Sequence, residues 1–423
     1  MKVLVVGNGG REHTLAWKLL QSQEIEQVVC VPGNGGTASL ERCQNLPLSM
    51  DDFEGIGRFA LTHGISLVVV GPELPLAMGI TDYLQRQGLV VFGPTKAGAQ
   101  IEASKSWAKA LMREAGIPTA RAAVFTEAAA AKAYVKAQGA PIVVKADGLA
   151  AGKGVTVATT VEQAQGAIEA IFQGQFGGAG KFVVIEECLT GQEVSVLAVT
   201  DGLTIRPLLP AQDHKRIGEG DTGENTGGMG AYAPAPISTE MMARIEQQVL
   251  QRVIATLRAR GIDYRGVLYA GLMIPPDGDF KVLEFNCRFG DPETQVILPL
   301  LETPLEDLLL ACTQQRLSDL PPITWKAEVS ACVVAAAGGY PGAYQKGQVI
   351  TGIEPALALS ACVFHAGTQL KQQLVTDGGR VLGVTGVGKT FDEAIALAYA
   401  ALKCIHFEGM YYRRDIGHKV IQE

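Results

Sequence analysis

The chain has 423 residues, too many for a single hydrophobic core, so about two to four domains are expected. Its net charge of −7 and the lack of a basic stripe argue against nucleic acid as the main partner. The longest apolar runs fall short of the roughly 20 residues that a membrane-spanning helix needs. Eight cysteines form no CxxC pair, so neither a zinc site nor a disulfide framework is expected. Cysteines of this kind fit the core as small apolar residues, and the expected compartment is the cytoplasm. The N-terminal "MKVLVV" runs directly into a glycine loop and predicts a first strand rather than a signal peptide.

Short apolar runs alternate with helical stretches over residues 1–103. The runs are "KVLVVG", "QVVCV", "SLVVVG" and "LVVFG", each closed by glycine or proline. This pattern is typical of a doubly wound parallel sheet with loops at the strand ends. A long amphipathic helix is predicted next, from Lys96 to Ala115, ending at "GIP".

The rest of the chain changes pattern three times. Short strands and two glycine loops predict a compact α+β unit, longer strands and a glycine-rich stretch (211–230) follow, and "DLPPITW" (319–325) has the composition of a linker. Strands and one late helix, "TFDEAIALAYAALK", predict a small α+β domain at the end. The predicted division is 1–103, 104–121 plus 191–325, 122–190 as a separate subdomain, and 326–423.

The first glycine loop, "VVGNGGREH", places free backbone N–H groups where an anion can bind. A dinucleotide is disfavoured because Glu12 occupies the third glycine position of that fingerprint, and "CVPGNGG" lacks the acid that would hold a ribose. A smaller phosphate-bearing substrate fits better, with Arg11 as its partner. A tight turn without any ligand is the alternative.

A second glycine loop, "GVTGVGKT" (383–390), matches the phosphate-loop pattern GxxxxGK[ST] at every fixed position. Only 33 residues follow it in a chain of 423, too few for the parallel sheet that such a loop requires. The segment is therefore predicted to be a strand that ends in a turn.

A nucleotide site is indicated by "VVKADGLAAGKGV" (143–155) and the strand after it. Lys145 lies late in an apolar strand, where a buried ammonium group needs an anion, and Lys153 lies in the glycine loop. This arrangement can clamp triphosphate oxygens, although a partly exposed strand-end lysine is the alternative. The next strand, "FVVIEECLTGQEVSV", offers backbone groups to an adenine edge and carboxylates to ribose hydroxyls or a metal.

The stretch "LEFNCRFGDPETQ" (283–295) predicts a metal site. In a strand, Glu284, Asn286 and Arg288 share one face, while Leu283, Phe285 and Cys287 share the other. Carboxylate and amide oxygens are ligands that magnesium prefers, and Arg288 can meet an anionic substrate or a transferring phosphoryl group. A surface ion-pair ladder on an edge strand is the alternative.

Together these motifs resemble the ATP-grasp ligases. Within that superfamily, "RFGDPETQ", "QDHKRIGEGDTGENTGGMGAY", "GNGGREH" and "GGYPGAY" resemble the phosphoribosylamine–glycine ligase family over the whole chain and in the right order. The resemblance implies an N-terminal doubly wound parallel sheet, a central ATP-grasp fold with a mobile lid (122–190) and a small C-terminal α+β domain. Many ATP-grasp enzymes carry a further metal-binding acid where "YAGLMI" has Leu272, which leaves a second metal ion open.

The resemblance also implies a reaction. ATP phosphorylates the carboxylate of glycine, and the amine of 5-phospho-β-D-ribosylamine attacks the acyl phosphate. The products are glycinamide ribonucleotide, ADP and phosphate, in the second step of de novo purine synthesis. The implied partners are these small molecules with Mg²⁺ or Mn²⁺, no nucleic acid and no membrane, and the expected state is a monomer.

Site residues follow from the same resemblance. The expected ATP contacts are Lys105, Lys145, Lys153, Glu186, Glu187, Leu189 and Glu193. Metal ligands are expected at Glu284 and Asn286. Substrate contacts are expected at Gly9, Gly10, Arg11, Glu73, Asp213, Lys215, Arg288, Gly290 and Asp291, of which Asp213, Lys215 and Arg288, with Lys145, also form the catalytic set.

Three rival functions are compatible with parts of the pattern. One is another ATP-grasp carboxylate–amine ligase or carboxylase acting on a purine or biotin substrate. A nicotinamide-dependent oxidoreductase is disfavoured by the missing acid after the second strand. A non-catalytic nucleotide-binding regulator is disfavoured because Glu284, Asn286 and Lys145 are all present.

Overall fold

The computed structural model describes residues 1–149, 154–175, 177–276 and 278–421. Its first unit is a parallel five-stranded sheet in the order β3-β2-β1-β4-β5. The central strands are apolar on both faces because helices cover both sides. The strands are β1 (Lys2–Gly7), β2 (Gln27–Pro32), β3 (Cys43–Asn45), β4 (Leu67–Val70) and β5 (Val91–Phe92), and the helices are α1 (Gly10–Leu19), α2 (Phe53–Thr62), α3 (Glu73–Met78), α4 (Ile80–Arg86) and α5 (Lys96–Ala103).

The prediction of one long helix from Lys96 to Ala115 is wrong, because the helix is interrupted at Ser104. Its backbone is extended (φ −137°, ψ 114°), and its side chain accepts a hydrogen bond from the Trp107 N–H, which caps a new helix, α6 (Lys105–Glu114). Asp147 adds a second cap by accepting from the Ser106 N–H at 3.1 Å. The break turns the first residue of α6, Lys105, towards the loop that follows Lys145.

The strands between residues 122 and 187 form an antiparallel sheet in the order β6-β9-β7-β8. Two helices pack on one face of this sheet and enclose its apolar core. Lys145 and Glu186 lie on the opposite face. The elements are β6 (Ala122–Phe125), α7 (Ala128–Gln138), β7 (Ile142–Ala146), β8 (Val155–Ala158), α8 (Val161–Phe172) and β9 (Val183–Glu187).

The next residues build a second antiparallel sheet in the order β11-β10-β16-β17. Its register shifts between Gly271, which pairs with Glu284, and Leu272, which pairs with Val282. Leu283 is therefore the extra residue of a bulge, and the strand alternation is interrupted there. The elements are β10 (Gln192–Thr200), β11 (Ile205–Pro207), β12 (Gln212–Asp213), β13 (Arg216–Gly218), β14 (Thr222–Asn225), β15 (Gly230–Ala233), α9 (Thr239–Ile245), a π turn (Glu246–Leu250), α10 (Gln251–Ala259), β16 (Gly266–Ile274), β17 (Lys281–Asn286), α11 (Thr294–Ile297) and α12 (Leu305–Thr313).

The last sheet combines distant parts of the chain in the order β12-β15-β18-β22-β19. Strand β22 contains most of "GVTGVGKT" and pairs antiparallel with two neighbours, so the prediction of a strand ending in a turn is confirmed. The sheet takes β12 from the glycine-rich stretch and β15 from the residues at its end. The division into domains given above stays a prediction. The elements are β18 (Val329–Ala336), α13 (Ile353–Ala358), β19 (Cys362–His365), β20 (Thr368–Leu370), β21 (Leu374–Thr376), β22 (Arg380–Gly388), α14 (Phe391–Leu402) and α15 (His418–Ile421).

The N-terminal and C-terminal sheets meet at a buried joint. Asn34 donates to the carbonyls of Asn8 at 3.0 Å and His365 at 2.7 Å, which ties the first glycine loop to β19. The His365 N–H donates to Nδ1 of His13 at 2.7 Å, and the two imidazole rings lie 5.3 Å apart. These buried hydrogen bonds therefore attach the first glycine loop to the C-terminal sheet.

Acid should weaken this joint. Burial, with a smaller contribution from His365, lowers the pKa of His13 well below its usual value, and burial lowers the pKa of His365 to about 4. Burial favours the neutral form of both rings in the folded protein, so their contribution to stability is complete above the unfolded pKa of about 6.5 and falls as the pH drops below it. For His365 the loss is about 2 kcal/mol at pH 5.

Melting temperatures at about pH 7.5 and about pH 5 test this expectation. The His365→Gln variant should lose less stability between the two pH values than the unsubstituted protein. Equal losses in the two proteins would mean that the histidine joint does not titrate in this range.

Candidate active site

Most of the predicted site residues in the described part of the chain come together in one region, called the cleft below. It lies between the sheet β6-β9-β7-β8 (the lid sheet), the end of β17 and the loops of the N-terminal sheet. Lys145 comes from β7, Glu186 from β9 and Glu284 from β17. Asp213 comes from β12, and Glu73 begins α3. The carboxyl ends of strands from three sheets therefore supply the charged groups.

A buried carboxylate joins two lysines at the lid. Glu186 is 2% exposed, and its two oxygens lie 3.1 Å from Lys109 Nζ and 2.9 Å from Lys145 Nζ. Lys145 Nζ also lies 3.4 Å from the carbonyl oxygen of Leu283, and Lys109 donates to Thr119 at 2.8 Å. The group holds two cations against one anion, so it suits a ligand that brings negative charge. The Glu186 side chain is thus occupied by lysines, and its contact with adenosine stays a prediction.

Sequence reasoning missed Lys109. The signal was present, because Lys109 follows Lys105 by four residues on α6 and therefore lies on the same helix face. Burial lowers the pKa of Lys109 despite the opposing effect of Glu186. Lys105 donates to the carbonyl of Gly148 at 2.9 Å, beside the loop that carries Lys153, which lies outside the described residues. Burial also lowers the pKa of Lys105, against the effect of Glu284.

Lys215 connects the two acids that the sequence predicts for ribose and for metal. Its Nζ lies 3.0 Å from Glu193 and 3.7 Å from Glu284. Burial opposes charge on Lys215, but these carboxylates outweigh it and raise the pKa well above its usual value. Burial likewise favours the neutral form of Glu284, but Lys215, Lys145 and Lys105 outweigh it and lower the pKa. Glu284 is therefore held as a carboxylate, the form that binds a cation.

The bulge in β17 changes two details of the predicted metal strand. Phe285 and Cys287 pack in the core as expected, but Leu283 is half-buried outside that core, because the bulge turns it from the expected face. Gly271, not Leu272, lies opposite Glu284, and Leu272 is fully buried. Neither residue supplies an acid there. Within the described ranges, no three His, Cys, Asp or Glu side chains group as a complete metal site.

Two carboxylates hold Arg288. Its Nη2 lies 2.8 Å from Glu102, and its Nε donates to Glu73 at 3.2 Å. Burial opposes the charge, but Glu102 and Glu73 outweigh it and raise the pKa of Arg288 well above its usual value. The predicted neighbours Glu73 and Arg288 are thus brought together, and Glu102 was missed because nothing in its helix marks it.

Asp213 has a buried side-chain oxygen that is available to a ligand. Its Oδ1 is buried and has no hydrogen-bond partner in the described part of the chain, and the same is true of Gln295 Oε1. Burial, followed by the charge of Glu293, raises the pKa of Asp213 well above its usual value. Glu293 itself accepts hydrogen bonds from Ser195 at 3.1 Å and Tyr269 at 2.6 Å. A buried acceptor without a donor indicates a place where a donor on a substrate can bind.

The first glycine loop meets the turn after β17. Arg11 pairs with Glu12 at 2.5 Å and donates to the Phe289 carbonyl at 3.0 Å. Asp291 accepts weakly from the Arg11 N–H at 3.5 Å, and Arg380 from β22 lies 3.4 Å from Asp291. The Nε and Nη1 groups of Arg11 thus have partners within the protein, and the predicted Gly9, Gly10 and Gly290 lie at the same junction. Arg380 was missed because its strand belongs to the last sheet.

Two predicted adenosine contacts lie at the edge of the cleft. Glu187 pairs with Arg121 at 3.0 Å and Lys281 at 2.8 Å, and hydrogen bonds from both outweigh burial and lower its pKa to about 2. Leu189 is half-buried in the connection between β9 and β10. Contacts of either residue with adenosine stay predictions.

An antiparallel sheet with a buried lysine, facing a second sheet that ends in Glu-x-Asn, is the arrangement of the ATP-grasp fold. A solved biotin carboxylase–β,γ-ATP complex from Campylobacter jejuni has this fold, with a TM-score of 0.73 and 14% identity over 97% of this chain and 92% of that one.

The chain belongs to the phosphoribosylglycinamide synthetase family. The model of its N domain matches residues 1–102, that of its ATP-grasp (A) domain 103–294 and that of its C domain 330–419. The chain is 78% identical to the phosphoribosylamine–glycine ligase of a Nostoc species, over 99% of this chain and all of that protein. It also resembles the crystal structure of phosphoribosylamine–glycine ligase from Thermotoga maritima, with a TM-score of 0.85 and 36% identity over 99% of this chain and all of that one. The predicted family and the class of ATP-dependent ligase are confirmed.

The two lysine candidates for phosphate binding can be compared directly. Lys145 lies in the cleft, whereas Lys389 follows β22 in the last domain. Losing a charge-assisted phosphate contact costs about 1.5–3 kcal/mol, or roughly one to two decades. Lys145→Ala should show at least that loss in ATP-dependent turnover, and Lys389→Ala almost none. A folded Lys389→Ala protein that no longer binds ATP, beside a Lys145→Ala protein that does, would contradict the location of the site.

Proposed function

We propose that this protein ligates glycine to 5-phospho-β-D-ribosylamine. ATP phosphorylates the glycine carboxylate, and the amine displaces phosphate from the acyl phosphate. The products are glycinamide ribonucleotide, ADP and phosphate, the second step of de novo purine synthesis. The observation that carries the proposal is the meeting of a cation-rich nucleotide site, a carboxylate–amide pair and an unsatisfied buried acceptor in one cleft.

The nucleotide end rests on the lid. Lys145, Lys105 and the undescribed Lys153 would bind phosphate oxygens, with Glu193 beside the ribose. Lys109 would support Lys145 through Glu186, because both ammonium groups contact that carboxylate. The excess positive charge favours a polyphosphate. Residues 122–190 would close over it as a lid.

The donor set at β17 fits a hard divalent cation. Glu284 is held ionised and Asn286 offers an amide oxygen, so these two residues would hold Mg²⁺ or Mn²⁺. When bound, the cation neutralises phosphate charge and aligns the transferred group. Lys215, which contacts Glu284 in this structure, would then be free to contact the transferring phosphoryl group.

The chemical steps need positioning and charge neutralisation, and no enzyme nucleophile. Arg288 would hold the glycine carboxylate. One carboxylate oxygen would then attack the γ-phosphorus of ATP, and ADP would leave. The amine nitrogen then attacks the carbonyl carbon, phosphate leaves and the nitrogen loses a proton. Transfer in such a site is accelerated by holding the reactants together and by preorganised charge.

The acceptor would lie between Asp213 and the first glycine loop. The unsatisfied Asp213 Oδ1 would accept a hydrogen bond from the ribosylamine nitrogen, and Gln295 Oε1 one from a sugar hydroxyl. Gly9, Gly10 and Arg11, with Gly290 and Asp291, would surround the ribose phosphate, and Glu73 would orient Arg288. We also propose a cytoplasmic monomer. No helix within the described ranges is long and apolar enough to span a membrane.

The direct test follows ADP formation. ADP should form only when ATP, a divalent cation, glycine and phosphoribosylamine are all present. Glu284→Ala should abolish this turnover with little change in melting temperature, since it removes a metal ligand rather than core volume. Near-normal turnover of the variant at saturating Mg²⁺ would contradict the metal site. Turnover by the unsubstituted protein with another acid or amine, and none with glycine, would favour a different ATP-grasp ligase.

Asp213→Asn tests the acceptor end. The substitution keeps the shape of the side chain but can replace a hydrogen-bond acceptor with a donor. We expect the KM for phosphoribosylamine to rise by roughly tenfold, the loss of about one hydrogen bond, while the KM for ATP stays within about twofold. A rise in the KM for ATP with no change for the amine would place Asp213 at the nucleotide instead.

A further inference from the structure

Glu102, near the end of α5, lies directly behind the predicted metal strand. Its side chain is only 8% exposed. One oxygen, Oε2, accepts from the Cys287 N–H at 2.8 Å, and the other, Oε1, lies 2.8 Å from Arg288 Nη2. The same Oε1 lies 3.0 Å from the Asn286 carboxamide. One carboxylate thus contacts three consecutive residues of the site.

These contacts decide which end of the Asn286 amide faces the cleft. A carboxylate only accepts hydrogen bonds, so the amide nitrogen must face Glu102, and this orientation also lets it donate to the Phe285 carbonyl at 3.3 Å. The amide oxygen then points away from Glu102. A divalent cation binds that oxygen and is repelled by the NH₂ group.

Glu102 does not bind the cation itself, because both of its oxygens are occupied and its side chain is buried. Glu102 is also a counter-ion of Arg288, a role that a neutral hydrogen-bond acceptor could not fill. Ligand orientation by an outer carboxylate is a common feature of metal sites.

We propose that Glu102 is a positioning residue of the ligase site. It holds the Asn286 amide with its oxygen towards the divalent cation, and it holds Arg288 at the same time. The inference rests on the proposed function for the presence of cation and nucleotide, but not for the identity of the acid or the amine.

The Glu102→Gln variant should reverse the orientation of the Asn286 amide, with little change in the shape of the side chain at position 102. A glutamine can present its NH₂ group to Asn286, which favours an amide turned with its nitrogen towards the cation. Mn²⁺ binding should be measured by the loss of the free-ion paramagnetic signal, in the presence of a non-hydrolysable ATP analogue. We expect the affinity to fall by roughly tenfold or more. Glu306→Gln, a buried carboxylate on α12 that is 4% exposed, is the matched control and should bind Mn²⁺ normally.

A second substitution separates positioning from simple stabilisation. Asn286→Asp presents only oxygens to the cation. In the Glu102→Gln background it should therefore restore Mn²⁺ affinity to within about threefold of that of the unsubstituted protein. Asn286→Asp alone places a second carboxylate against Glu102 and should weaken Mn²⁺ binding. If Glu102→Gln fails to fold, the comparison of Asn286→Asp with the double variant still tests the coupling.

Two outcomes would overturn the proposal. One is Mn²⁺ affinity within twofold of normal in folded Glu102→Gln protein, which would leave Glu102 a purely structural role. The other is a double variant no better than Asn286→Asp alone. The binding measurement contains neither glycine nor amine, so it still tests the role of Glu102 if the protein ligates other substrates. Failure of the proposed function would appear only in the ADP assay.

Discussion

The shared carboxylate of Glu186 is the contact on which the rest of the site depends. It pairs with Lys145 from its own sheet and with Lys109 from α6, and Lys145 reaches on to the carbonyl of Leu283. In this way charged groups join the lid sheet, α6 and the predicted metal strand, and α6 and that strand also share an apolar core. Buried charges are stable only when they are paired, so the surplus ammonium group gives the cleft a preference for an anion.

The same rule governs the opposite wall of the cleft. Arg288 is held by Glu102 and Glu73, and Lys215 by Glu193 and Glu284. Each of these charged groups already has a partner in the protein, so the proposed substrate binding would exchange one set of ion pairs for another. Asp213 and Gln295 differ, because Asp213 Oδ1 and Gln295 Oε1 have no hydrogen-bond partner among the described residues. These two atoms lie at the acceptor end of the proposed reaction.

Sequence patterns predicted the parts of this site that lie within one segment. Local periodicity predicted the parallel first sheet, the strand that carries Glu284 and a strand at "GVTGVGKT". The structure agrees with each of these predictions. What sequence missed depends on distant partners. Glu102 contacts residues 185 positions later, and no spacing rule links α5 to β17. The break at Ser104 was hidden because the helical pattern continues on both sides, and the bulge that moves Leu283 is set by pairing between strands.

The central claim is that the glycine carboxylate itself is phosphorylated, and one isotope measurement tests it most directly. With glycine carrying ¹⁸O in both carboxylate oxygens, one labelled oxygen should be transferred to each inorganic phosphate formed during ligation. Mass spectrometry of the phosphate reports this transfer. Phosphate with a single ¹⁸O, formed in step with glycinamide ribonucleotide, is the predicted result. Unlabelled phosphate formed in the same reaction would contradict an acyl phosphate and the roles assigned here to Arg288 and Lys215.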